Sequence, residues 1–182
     1  MSSLPGFAYA PHYTTWRDFR IHYIDEGKGE RTFLCLHGEP TWSYLYRRMI
    51  PHFVARGARV VAPDLLGFGR SDKPEDEALY SFDFHRQFLL WFVEKLGLKR
   101  ITLVVQDWGG LLGLTLPMET PIDGLFIMNT TLGTGALDST GRATFTTSTL
   151  SQGAHQIIAS YGGSAVYSAS TSQTLVQNVS KK

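Results

Sequence analysis

A chain of 182 residues sets a scale of one domain, or one domain and a fragment. Its 43% hydrophobic and 18% charged residues are those of a globular protein. A net charge of +1 gives neither nucleic acid nor an anionic membrane an electrostatic reason to bind. The lone Cys35 excludes an internal disulfide and, set in an apolar run, reads as a buried inert thiol. No apolar run has the length of a membrane span, and residues 1–13 lack a basic stretch followed by an apolar one. The expected location is therefore the cytoplasm.

Phe19, Ile21 and Tyr23 alternate with Arg20 and His22 in an edge-like strand that ends before Gly27. Thr32 to Leu36 is a buried strand, followed by a helix from Trp42 to Ala55. Ala58 to Ala62 is another strand, leading into a loop that runs through Lys73. Ser81 has the chemistry of an N-cap for a helix whose Phe82, Phe84, Phe88, Leu89, Trp91, Phe92 and Leu96 recur at helical spacing, with Gly97 as its stop. Ile101 to Val105 is a strand, Leu111 to Met118 a helix and Leu125 to Met128 a further strand. Continuous apolar strands alternating with helices imply an α/β fold, a parallel sheet with helices on both faces. In such sheets chemistry gathers at the carboxyl ends of the strands, where Glu39 and Asp107 fall.

Val105-Gln106-Asp107-Trp108-Gly109-Gly110 carries the most information. It is strand, sharp turn, helix, with a carboxylate at the apex where the G-x-S-x-G turn of α/β-hydrolases carries serine. A carboxylate there attacks a saturated carbon, displaces a leaving group and forms an ester. Two other strings stand at strand ends: His37-Gly38-Glu39-Pro40, and Pro63-Asp64-Leu65-Leu66-Gly67-Phe68-Gly69-Arg70-Ser71-Asp72-Lys73-Pro74. Together and in this order, over residues 4–134, the three strings resemble the haloalkane dehalogenases, a branch of the α/β-hydrolases.

The resemblance implies a role for each residue. Asp107 would be the nucleophile; the competing reading is a structural Asp capping the next helix. The Trp108 indole, a donor with no lone pair to repel an anion, would receive the halide; ordinary core packing is its alternative. The backbone N–H groups of Glu39 and Trp108 would form an oxyanion hole. The Glu39 side chain would help hold the hydrolytic water, or be a solvated loop acid. His37 looks like a base but reads as a brace for its loop. The substrate would be a small halogenated alkane, with no cofactor and no metal.

The family also needs a His to activate water, an acid to orient it, and a cap domain over the pocket, all following the strand that ends near Met128. Here the composition changes instead. Residues 136–182 contain sixteen Ser and Thr, one acid (Asp138), and no Pro or Trp. Asn129 stands where another branch of the family carries its acid, and no base or acid is identified in the chain. The sheet is thus expected to be truncated and the cap absent, leaving Leu125–Met128 as an exposed edge open to self-association. The organisation is expected to be an α/β-hydrolase core over 1–134 and a tail over 135–182. The tail has short alternating runs between Gly and Ser clusters, and resembles part of a bacterial immunoglobulin-like repeat; a disordered Ser/Thr-rich tract is the other reading. His155, the one His of the tail, falls in that strand pattern and reads as structural.

Three functions follow. The first is a dehalogenase-like hydrolase that is incomplete and inactive as it stands. The second is an epoxide hydrolase-like enzyme, disfavoured because Gln106 and Glu39 occupy positions where those relatives carry His and an aromatic. The third is a chimeric chain with no activity, joined within residues 131–137.

Overall fold

The computed structural model describes residues 4–128, 130, 153–161 and 168–180. Two units separate, Met1–Thr146 and Thr147–Lys182. The first is built on a six-stranded sheet: β1 (His12–Trp16), β2 (Phe19–Glu26), β3 (Thr32–Leu36), β4 (Arg59–Pro63), β5 (Ile101–Gln106) and β6 (Ile122–Met128). Their spatial order is β1-β2-β4-β3-β5-β6. The expectation of a parallel sheet holds for β4, β3, β5 and β6 and is corrected at the other end. There β1 pairs antiparallel with β2, and β2 antiparallel with β4, so the sheet is mixed. β1 and β2 form a hairpin whose turn places Arg17 at φ 52°, and a hairpin necessarily reverses strand direction.

Alternate residues of the central strands feed two apolar layers, which is why these strands read as unbroken apolar runs. Leu34, Leu36, Val61, Leu103 and Val105 pack on one face beneath α2 (Phe82–Lys95) and α3 (Trp108–Gly113). Cys35, Val60, Ala62 and Val104 pack on the other with Tyr46, Ile50 and Phe53, and Phe33 stacks on Phe53 at 4.1 Å between centroids. Ser81 caps α2 by accepting from the Phe84 amide, and Gly97, at φ 56°, ends it in a left-handed conformation.

The segment expected to be one helix from Trp42 to Ala55 is a 3-10 helix, Ser43–Arg48, followed by α1, Ile50–Val54. Pro51 explains the break: it has no N–H to give the carbonyl four residues back. That carbonyl, of Arg47, accepts from the Tyr9 hydroxyl at 2.6 Å instead. Pro117 acts similarly, and the helix expected to reach Met118 ends at Gly113, with a separate 3-10 turn at Leu116–Met118.

The second unit contains two antiparallel pairs. One joins β7 (Gly153–Ile157) to β10 (Leu175–Val179), the other β8 (Ser160–Tyr161) to β9 (Ser170–Thr171). Among the described residues no helix is long and apolar enough to cross a membrane.

Candidate active site

Asp107 sits between β5 and α3 at φ 50°, ψ −125°, a conformation that L residues rarely adopt. Small neighbours permit it. A Cβ on Gly38 would overlap the Asp107 carboxylate, one on Gly109 the backbone carbonyls of Leu36 and His37, and one on Gly110 the Thr130 side chain. The elbow therefore closes against the end of β3 and against Thr130, just past β6, and the half-buried Asp107 carboxylate lies over Gly38.

The loop after β3 reaches this carboxylate. The backbone N–H of Glu39 donates to Asp107 Oδ1 at 3.0 Å. The loop is tied internally by Thr41, whose amide (2.9 Å) and hydroxyl (2.7 Å) both donate to the Gly38 carbonyl. The Glu39 side chain is exposed. Trp108 is 48% exposed and lies outside the buried core. The structure thus brings together the Asp107 carboxylate and the Glu39 amide, with Trp108 next in the chain.

His37 is fully buried, and both ring nitrogens are engaged. Nε2 accepts from the Leu65 amide at 2.9 Å, and Nδ1 lies 3.1 Å from the Gly38 carbonyl, to which it donates. It spans the loops after β3 and β4 and has no free nitrogen for a proton transfer. Of the chain's six histidines five lie in the first unit, and among the described hydrogen bonds none of these reaches Asp107. His155 lies on β7 of the second unit, its backbone opposite Gln177. Asn129 falls outside the described residues. Among the described residues no group of His, Cys, Asp and Glu side chains is arranged to hold a metal ion.

Sequence reasoning missed Asp64, although it lies in a quoted string. Its fully buried carboxylate accepts from the Ser43 amide (2.8 Å), the Arg70 amide (2.8 Å) and His22 Nδ1 (2.9 Å). Burial acts to raise its pKa, but the hydrogen bonds from His22, Arg70 and Ser43 outweigh burial and hold it below the usual carboxylate value. Asp64 thereby fixes the start of the 3-10 helix that follows the Glu39 loop. Thr130 was missed too: its hydroxyl donates to the Asp107 carbonyl at 2.5 Å.

The histidines make stability depend on pH. Burial lowers the pKa of His37, with the Gly38 carbonyl and Asp64 working the other way. Burial, helped by the charge of His37, lowers His85 to about 4 from an ordinary value of 6.5. Between those two values the unfolded chain binds more protons at His85 than the folded one, so stability is full above about pH 6.5 and declines as pH falls toward 4. Asp64, with its lowered value, acts only at more acid pH. The urea midpoint is expected to be lower at about pH 5 than at about pH 7, and the His85→Gln variant to show a smaller difference. Equal midpoints for the native chain at both pH values would contradict this.

Residues 31–152 match the α/β-hydrolase fold family, and the chain belongs to it. Within that family it is haloalkane dehalogenase-like. It is 48% identical over 126 residues to a haloalkane dehalogenase of Psychrobacter cryohalolentis, covering 66% of this chain and 42% of that protein. It is 50% identical over 123 residues to one of Mycobacterium marinum, covering 64% and 41%. The tetrameric haloalkane dehalogenase DpaA of Paraglaciecola agarilytica superposes with a TM-score of 0.71 at 55% identity, over 76% of this chain and half of that one. An epoxide hydrolase of Vigna radiata gives a TM-score of 0.62 at 28% identity, over 67% of this chain and 40% of that one. The chain therefore spans half or less of the length of these relatives.

Proposed function

We propose that the first unit carries the halide-displacing half of a haloalkane dehalogenase reaction, with Asp107 as nucleophile. The observation that carries the reading is the Glu39 amide bonded at 3.0 Å to one oxygen of a half-buried carboxylate at the apex of the turn, where most hydrolases of this fold would have serine. The second carboxylate oxygen is left to attack. It forms a bond to the halogen-bearing carbon, and the carbon–halogen bond breaks with its electron pair on the departing halide. The indole N–H of Trp108 meets that halide. The product is an alkyl ester of Asp107, whose carbonyl oxygen inherits the Glu39 N–H and the Trp108 N–H as an oxyanion hole.

Hydrolysis of the ester needs a base for the attacking water, which is typically worth ~10²–10⁴-fold. With His37 held at both nitrogens, the 182-residue chain is proposed to stop at the ester. The test is a halide-release time course with a small bromoalkane and intact-mass analysis of the protein. One halide and one alkyl group per molecule support the reading; no halide release and no alkyl group on Asp107 overturn it, and sustained release overturns the arrest at the ester alone.

The epoxide hydrolase reading draws on the Vigna radiata likeness, but that identity of 28% stands against 48% and 50% for the dehalogenases. Gln106 and Glu39 also favour the dehalogenase. For the second unit the antiparallel β7–β10 pairing supports an immunoglobulin-like module, which a fold comparison of that unit alone would test. A join within residues 131–137 is the non-enzymatic alternative, settled by reading the gene across that segment.

A further inference from the structure

We infer that Thr130 is a positioning residue that aims the Trp108 backbone N–H, the second donor of the oxyanion hole. The inference rests on the reading of Asp107 and Trp108 given above. The Asp107 carbonyl and the Trp108 N–H belong to one planar, trans peptide unit, so they point in opposite directions and turn together. Whatever holds the carbonyl therefore sets the aim of the amide. Three donors hold it: the Gly110 amide at 2.9 Å, the Leu111 amide at 3.3 Å, and the Thr130 hydroxyl at 2.5 Å. The first two belong to α3 and move with it. The third comes from just past β6, outside α3.

The sequence makes room for this contact. Gly110 has no side chain, and a Cβ there would overlap the Oγ1, Cβ and Cγ2 atoms of Thr130. The threonine thus lies directly on the first turn of α3, with its hydroxyl turned to a carbonyl whose own residue is at φ 50°. A peptide plane next to such a residue does not rest in its commonest orientation, and a side hydrogen bond from outside α3 limits its freedom to rock. The Trp108 N–H heads α3 and has no carbonyl four residues earlier within that helix, so the helix itself makes no claim on it. Thr130 acts through this plane and touches neither substrate nor the reacting atoms.

The test compares the native chain with Thr130→Val, which keeps the shape and removes the hydroxyl, and Thr130→Ser, which restores it. Each protein is first alkylated on Asp107 with a bromoalkane and then treated with hydroxylamine at neutral pH. The hydroxylamine nitrogen bonds to the ester carbonyl carbon, and the bond between that carbon and the alkoxy oxygen breaks. The departing alkoxide takes up the proton lost from nitrogen, and Asp107 remains as a hydroxamate seen by mass. The oxyanion of this step occupies the same hole, without need of a histidine. Thr130→Val is expected to react roughly tenfold more slowly and Thr130→Ser at the native rate. Outright loss of an oxyanion donor costs more, about 10²–10³-fold. The Trp108 amide resonance should shift in Thr130→Val and return in Thr130→Ser, with thermal unfolding of all three recorded beside it. Native rates and an unmoved Trp108 resonance in Thr130→Val overturn the inference, as does a slowed rate that serine does not restore. If the native chain takes up no alkyl group and releases no halide, the proposed function fails, and the Trp108 resonance alone decides the role of Thr130.

Discussion

Asp107→Asn is expected to abolish halide release and alkylation together while leaving the fold intact. The amide oxygen of Asn can still accept the Glu39 N–H, which in the native chain bonds Asp107 Oδ1 at 3.0 Å, so the loop keeps its anchor. Asn has the shape of Asp, so it meets the elbow backbone at φ 50° no differently. What changes is the second oxygen: a carboxylate presents an anionic nucleophile, an amide presents a neutral N–H₂ group. The native chain should release one bromide per molecule in a burst and gain the mass of the alkyl group; the variant should do neither. Its circular dichroism and thermal unfolding should match the native chain. Sustained release by the native chain that vanishes in Asp107→Asn would keep the nucleophile and refute the proposed arrest at the ester. A base would then have to be found, with His155 the first residue to replace. Equal release by both proteins would remove Asp107 from the chemistry.

The parts of this site that are legible in the sequence are those set by local chemistry. Gly-Gly after Asp-Trp announces an elbow because close backbone approach needs missing side chains, and Gly109 does lie against the carbonyls of Leu36 and His37. Ser81 and Gly97 mark the ends of α2 by capping rules that act within a few residues. The brace role of His37 is also visible in its context. Asp64 and Thr130 are not legible in this way. Asp64 works on Ser43, 21 residues back, and on His22, 42 residues back, and Thr130 on Asp107, 23 residues back. Such contacts exist only once the sheet has set the strand order. The same reason hides β1: His12-Tyr13-Thr14-Thr15-Trp16 has no apolar alternation of its own and becomes a strand by pairing with β2. The two broken helices are a different case, because Pro51 and Pro117 stand in the sequence and the loss of their N–H donors is predictable.

Phe88→Ala is expected to have the largest effect on stability, about 3–5 kcal/mol. Phe88 is 1% exposed, in the middle of α2. Its ring lies 5.5 Å from that of Trp16, 5.4 Å from Phe92 and 6.3 Å from Trp91, so the cavity left behind is walled by large rings that cannot collapse into it. Phe82, on the same helix and 38% exposed, is the control: Phe82→Ala should change stability by well under half as much, since little apolar area returns to water. Urea unfolding of the two variants measures the difference, and equal losses would mean that α2 is not seated as described. Phe88 also shares its apolar layer with Leu103 and Val105 of β5 and Leu112 of α3, the two elements that hold Asp107 between them. Domains are stable by only ~5–15 kcal/mol, so a loss of this size unseats that platform in a sizeable fraction of molecules or loosens it in all. Alkylation of Asp107 should therefore fall in Phe88→Ala along with the unfolding midpoint, and a stabilising osmolyte should recover both. No osmolyte should recover alkylation in Asp107→Asn, and that contrast separates loss of the scaffold from loss of the nucleophile.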